Sequence, residues 1–447
     1  MLKKIFYILI FLLPEIAFAN LKVIRDSETE HFISKISKPI FIQAGLNEDD
    51  IGIHIINDDS LNAFVAGGRN LFINSGLIIR ADTIEALLGV IAHEVGHIAG
   101  GHLVKLNTAA DTLSTSLALG YILGIATAVS GNPDVGQALL LGSSHVADRS
   151  MLKFSRNHED ASDEAALKYL NNLNIDPNGM LSFFEQIKAN ESFSSGGDNL
   201  YTRSHPLTDD RIIRIKSRIQ QANNQNYKNY SDSEIEEFEF IKIKLESFLV
   251  EDPETSVKKI TGDSKYDYYA KAILFHRMGN LKMAVKNLDY LLNKDPKNQY
   301  LIELKAQFFY ENGEPNQALK FYKKANAIDP KDLLIKMQIA ESIISIANPG
   351  LYDEAINEIK EVLLEEYFNV NGWIRLSYLY DKIDKPDLSL LALAESKYYS
   401  GRYIEAVALA EEALENFEKD TKSSNNHEIF RSKEIIDFSN RKISEDK

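Results

Sequence analysis

The sequence predicts an α+β chain, mostly helical, in which a first domain with short strands and a β-hairpin precedes an all-helical repeat solenoid. Three observations predict it. Short strand-like segments are confined to the stretch before residue 75, a strongly apolar helix follows them, and beyond about residue 235 helices recur with a 34-residue period. At 447 residues the chain exceeds what one core usually organises, so two domains are expected. An apolar fraction of 44% and a charged fraction of 26% are those of ordinary globular protein. The net charge of −15 argues against a nucleic-acid backbone as partner.

The first nineteen residues read as a secretory signal. Lys3 and Lys4 supply the positive start, Ile5 to Leu13 the apolar run, and Ala17-Phe18-Ala19 the small-x-small cleavage pattern, placing the mature start at Asn20. The run is too short to span a bilayer and is ended by Pro14 and Glu15. The sequence contains 0 cysteines, which excludes a disulfide framework, a thiolate metal site and a cysteine nucleophile. An exported protein without disulfides suits a bacterial periplasm.

Residues 20–45 carry a helical pattern. Ile51–Ile56, Ala63–Val65 and Leu71–Asn74 read as strands, the last two joined through Gly67-Gly68 as a hairpin over 61–74. An apolar helix then begins near Ala81 or Asp82 and runs to about His102. Residues 113–142 form a nearly uncharged helical hairpin broken at Asn132-Pro133. It reads either as a pair packed over the domain or as a mobile lid, a surface for peripheral membrane contact or unfolded substrate. Helical patterns resume at 155–172 and 178–190, a Gly/Ser-rich loop occupies 191–200, and polar residues at 221–232 read as a linker. The expected units are thus a signal over 1–19, a first domain over 20–225, repeats over 235–416 and a polar, fraying tail over 417–447.

The repeats declare themselves by spacing. Gly279 and Gly313, Ala284 and Ala318, and Asp295-Pro296 and Asp329-Pro330 each stand 34 residues apart, the tetratricopeptide period. The glycines fall in the turn between paired helices, the alanines permit close helix approach, and the prolines stop the second helix. Tyr352-Asp-Glu-Ala355 and Gly401 to Ala406 repeat the signature at irregular distance, so one unit is degenerate or interrupted.

Chemistry concentrates in His93-Glu94-Val95-Gly96-His97. On a helix, two histidines four residues apart share one face and reach one cation, with a glutamate between them placed to take a proton from an activated water. Imidazole and carboxylate ligands suit zinc. A third histidine six residues beyond His97 is absent, since Leu103 stands there, so the third ligand is sought among downstream carboxylates. In Ser155-Arg156-Asn157-His158-Glu159-Asp160-Ala161-Ser162-Asp163, Glu159 is the candidate ligand and Asp163, one turn later, the candidate partner of a ligating imidazole. Read alone, both acids are equally compatible with a solvated helix surface.

Taken together, Asn62-Ala63-Phe64 with Gly67-Gly68, His93-Glu94-x-x-His97, Ser155-Arg156-x-x-Glu159-x-x-x-Asp163, and His205-Pro206 with Arg211 resemble metallopeptidase family 48 over most of residues 40–220. Ser162 departs from the alanine common there. The resemblance implies a zincin-type domain binding one zinc per chain, with endopeptidase activity. It also implies that Asn62, Ala63 and Phe64 offer an edge strand to extended substrates, and that His205 approaches the metal, bracing the oxyanion or capping a latent site. Arg211 would pair with a carboxylate or substrate, and His102, His145 and His158 would be neighbouring or solvated residues. Repeats after the domain, without flanking transmembrane helices, match exported members active in outer-membrane quality control. Their expected partners are unfolded outer-membrane β-barrel proteins or the assembly machinery, met through the repeats. A different class of function, a periplasmic chaperone or scaffold with latent proteolysis, fits the same features.

Overall fold

The computed structural model describes residues 22–47, 51–66, 69–101, 156–193, 205, 207–222, 226–419 and 426–445. The expected signal, Gly67-Gly68, the apolar segment 113–142, most of the loop 191–200, and His102, His145, Ser155 and Pro206 lie outside them. Among the described residues no helix is long and apolar enough to cross a membrane.

A four-stranded sheet is built from β1 (Val23–Ile24), β2 (Gly52–Ile56), β3 (Ala63–Ala66) and β4 (Asn70–Asn74) in the order β1-β2-β4-β3. β3 and β4 form the antiparallel hairpin expected over 61–74, with Phe64 opposite Phe72, while β2 and β4 run parallel. Alternation along β3 divides its side chains. Ala63 and Val65 join the main core, and Phe64 and Ala66 face the opposite side, where Phe64 stacks on Phe72 at 4.9 Å.

The inner face of the sheet is covered by helices α1 (Ser27–Gln43), α2 (Ser75–Arg80) and α3 (Ile84–Ala99). α3 starts at a Thr83 cap whose side chain accepts from the Ala86 amide, and ends at Gly100 rather than at His102. Every residue of α3 from Ile84 to His97 except Glu85 is buried. That burial needs close neighbours, which are α4 (Arg156–Asn172) and α5 (Asn178–Phe193). A Cβ on Gly89 would meet the Met180 backbone at 2.6 Å, and one on Gly96 the Ser162 backbone at 3.0 Å. Both glycines are therefore approach points for packed helices.

α6 (Asp209–Ala222) completes the first unit, and α7 (Asp232–Leu249) follows. α7 does not belong to the solenoid alone. Its Phe238, Ile241 and Leu245 pack into the first core, where Phe238 stacks on Phe32 at 5.7 Å. Its Phe240, Ile243 and Phe248 pack into the first repeat cluster. An expected boundary near residue 235 thus opens a helix shared by two cores.

Beyond the short α8 (Pro253–Lys259), helix pairs succeed one another: α9 (Lys265–Arg277) with α10 (Leu281–Leu292), α11 (Gln299–Glu311) with α12 (Pro315–Asn326), and α13 (Leu333–Ile346) with α14 (Tyr352–Glu365). Then come α15 (Val370–Lys382), α16 (Pro386–Tyr399), α17 (Tyr403–Lys419) and α18 (Asn426–Glu445). Gly279 and Gly313 turn the first two pairs at φ +72° and +79°. One period later Ala347 takes the same left-handed position at φ 56°. A 3-10 turn over Pro349–Leu351 then delays α14, which moves the fully buried Ala355 to 37 residues after Ala318. This insertion accounts for the step to Ala355, whereas Ala406 stands 51 residues further on, past two more helices.

The fraying expected after residue 417 is not seen in the described residues, which place 426–445 in α18. Ile435 is fully buried there, and Arg431 makes a bidentate pair with Glu395 at 2.6 and 2.7 Å. The apolar face is sparse, so composition hid it. Gly89→Ala should lower stability by about 1–3 kcal/mol through overpacking against α5, read as a lowered urea midpoint with an unchanged slope.

Candidate metal centre

The apolar surroundings of α3 hold three ionisable groups, His93, Glu94 and His97, at 0% exposure. Burial of charge at this depth needs compensation from neighbouring elements. α4 presents Glu159 and Asp163 one turn apart, and His205 and Arg211 come from the chain entering α6, all at most 2% exposed. The structure therefore brings together all seven of these sequence-singled residues. It leaves Asn62, Ala63 and Phe64 on and beside β3, which among the described residues pairs only with β4.

Four ligand atoms, one each from His93, His97, Glu159 and His205, lie within 4.8 Å of one another. His97 Nε2 is 3.1 Å from His93 Nε2, and Glu159 reaches His97 Nε2 at 3.3 Å and His93 Nε2 at 3.4 Å. His205 Nδ1 stands 3.1 Å from Glu159 and 3.4 Å from His93 Nε2. Donors about 2.0–2.1 Å from a tetrahedral cation stand about 3.4 Å apart, so these edges fit a metal ion. Donor set and spacing agree.

Around this set the charges are managed in layers. Arg211 pairs with Glu159 at 2.7 Å and with Asp163 at 2.6 and 2.8 Å. Asp163 in turn contacts His93 Nδ1 at 2.9 Å, the far nitrogen of a ring whose Nε2 faces the cluster. Such a partner fixes ring orientation and basicity. Burial alone would lower the His93 pKa, but hydrogen bonds to Asp163 and Glu159 outweigh it and lift the ring to about 9. For Glu159, burial is outweighed by the three histidines, which hold its carboxyl well below the usual range. Burial pushes Glu94 the other way, upward.

Glu94 differs from its neighbours in another respect. Neither of its buried oxygens accepts a hydrogen bond among the described residues, and His205 Nε2 stands 3.4 Å from Oε1. A carboxylate held close to the cluster but outside its bonding is free to handle a proton.

Sequence reasoning missed Phe184. Its ring lies 5.1 Å beneath the Arg211 guanidinium and edge-on to His93 at 5.9 Å, so it fixes both from one side. Met180, Phe184 and Ile187 form the buried face of α5, and nothing in the spacing separates Phe184 from ordinary core. His158, by contrast, precedes Glu159 on α4 and is not part of the four-atom cluster.

Removing Arg211 would leave Glu159 and Asp163 buried without their cation. In metal-free protein Arg211→Met should cost about 3–5 kcal/mol of stability, measured by urea unfolding, with a smaller loss after metal is added.

Residues 27–219 match peptidase family M48. The β-barrel assembly-enhancing protease of Escherichia coli K12 is 23% identical over 399 residues, covering 88% of this chain and 80% of that one. Its counterpart in Yersinia pestis is 22% identical over 403 residues, covering 88% and 81%. The mitochondrial metalloendopeptidase OMA1 of Schizosaccharomyces pombe is 25% identical over 194 residues, covering 43% and 54%. The shorter match is comparable in length to the metal-bearing unit, whereas the first two run on through the repeats. Residues 27–219 are a metallopeptidase domain of peptidase family M48, joined here to a solenoid of helical repeats.

Proposed function

We propose that the chain is an exported zinc endopeptidase of the cell envelope, holding one zinc through His93, His97 and Glu159. The observation that carries this reading is the triangle of donor atoms at 3.1, 3.3 and 3.4 Å with the unbonded Glu94 carboxylate beside it. When bound, zinc supplies Lewis-acid chemistry, polarising the scissile carbonyl and lowering the pKa of water to about 7. Glu94 is the general base: it accepts the proton of the attacking water and delivers it to the leaving amine. Asp163 holds the His93 ring, and Arg211 holds Asp163 and Glu159.

His205 occupies the fourth corner of the donor set, 3.1 Å from Glu159. A fourth protein ligand closes a site that catalysis needs open, so we read this arrangement as latent and the active form as one with His205 withdrawn. Once displaced, the same imidazole is placed to brace the oxyanion.

Extended substrate adds along the β3 edge at Asn62, Ala63 and Phe64, since among the described residues β3 pairs only with β4. Relatives matched over 88% of this chain are named for β-barrel assembly, and this supports a client class of unfolded outer-membrane β-barrel proteins or their assembly machinery, reached through the repeats. Degradation of misfolded or stalled clients in the periplasm is the activity we assign, with the signal removed after Ala19.

The test pairs metal content with casein cleavage for residues 20–447. Glu94→Gln should retain one zinc and lose at least about 10²-fold in rate. Equal cleavage by both proteins would refute the role of Glu94, and zinc in neither would refute the site. A capping His205 predicts faster cleavage in His205→Ala, and a purely bracing one slower cleavage. The scaffold reading gains support only if Glu94→Gln restores the envelope barrier in a deletion strain.

A further inference from the structure

The start of α1 is seated in the solenoid by buried polar contacts that the proposed chemistry does not use. Each contact comes from a different repeat element. Lys244 of α7 pairs with Asp26 and, at 3.2 Å, with Glu28. Tyr269 of α9 donates to Glu28 at 3.1 Å. Ser27 donates at 3.0 Å to Asp332, the cap of α13, which also accepts from Gln299 of α11 at 3.1 Å. Arg25 reaches Glu366, before α15, at 2.8 Å, and Glu30 at 2.9 Å. Four consecutive residues, 25–28, thus each meet the solenoid.

Charge at this seat does not balance. The groups facing Glu303 of α11 are Asp26 and Glu28 at the head of α1, Lys244 from α7, Tyr322 from α12 and Asp332 from the head of α13, with Tyr300 on its own helix, while Tyr269 from α9 faces Lys244 and Glu28. Four carboxyl groups therefore surround one lysine. Burial opposes ionisation of Asp26, but Lys244 and the Thr29 amide at 2.8 Å hold its carboxyl below the ordinary range, and Asp332 accepts from the Leu334 and Ile335 amides at 3.0 and 3.1 Å. Lys244 offsets one charge. The excess falls on Glu28 and Glu303, and Glu303 Oε2 is buried with no hydrogen-bond partner.

We infer that Arg25–Glu30 is a clasp between the peptidase domain and the solenoid, and that closing it takes up a proton at Glu303. Separated from α1, the Glu303 carboxyl faces water and titrates as an ordinary glutamate. Closed, burial pushes it up to about 8, with Lys244 opposing and Asp26, Asp332 and Glu28 adding to the shift. The closed state then holds one proton more than the open state across that interval. Closure is favoured in mild acid and weakens as pH rises toward 8, by up to about tenfold in the closing constant per pH unit. Glu28, also pushed up by burial, acts in the same direction.

The sequence contains 0 cysteines, so a donor and an acceptor dye can be placed at Lys168→Cys on α4 and Lys320→Cys on α12, both exposed. Energy transfer in the full chain is followed through urea titrations at pH 6.0 and 8.5. The expected result is a lower separation midpoint at pH 8.5 in the parent and a much smaller pH difference in Glu303→Gln, which mimics the protonated carboxyl. Glu237→Gln, paired with Lys35 at the surface, should keep the parental dependence. Parental pH dependence in Glu303→Gln, or a parental midpoint that rises with pH, overturns the inference.

Discussion

A helix buried on every side that must nevertheless carry ionisable groups is the constraint around which this structure is arranged. α3 gains its stability from apolar burial, and His93, Glu94 and His97 oppose that gain unless neighbours complete them. The remaining parts of the first domain answer that demand. α4 brings two carboxylates, α6 brings a guanidinium that spans both, and α5 lays Phe184 beneath it. Glycines at 89 and 96 let α5 and α4 approach closely enough to do so.

Compensation in depth also accounts for the place of Arg211, which pairs with both Glu159 and Asp163. With His93 protonated, the two carboxylates of α4 are matched by two cations, and a divalent ion entering the cluster would displace that proton. Arg211 stays in both situations. A permanent cation behind the carboxylates keeps them ionised and oriented, so the donor atoms are preorganised. The same logic recurs at the solenoid, where Lys244 plays the fixed cation, but there the carboxyl groups outnumber it.

Much of this was legible in the sequence, and the exceptions have physical causes. The short-range signals worked well: the hairpin of β3 and β4, a start of the apolar helix near Ala81 or Asp82, just before the Thr83 cap, and the turns at Gly279 and Gly313 all depend on residues close in the chain. His93 and His97 are legible because four residues bring them onto one helix face. Glu159 and Asp163 look like ordinary helix charges and stood out only once the His93/His97 pair called for a third ligand, while Arg211 needed a family resemblance to be noticed. Phe184 left no trace, because stacking on a guanidinium and filling a core demand the same side chain. The double role of α7 was hidden for a related reason. A helix apolar on two faces differs little in composition from one apolar on one face, and the polar run at 221–232 looked like a boundary. The helical order of α18 was concealed by how few of its residues are apolar.

The sharing of α7 has a consequence for the order in which the chain becomes functional. Phe238, Ile241 and Leu245 belong to the core that supports α1, and Lys244 seats the residues that precede it. A nascent chain that has emerged only as far as Ala222 carries His93, Glu159, His205 and Arg211 but lacks the helix that closes the core behind them. Glu366, which receives Arg25, emerges later still. The core behind the candidate metal centre is therefore closed by a helix that contributes no ligand to it, and a chain cut at Ala222 would leave that core open.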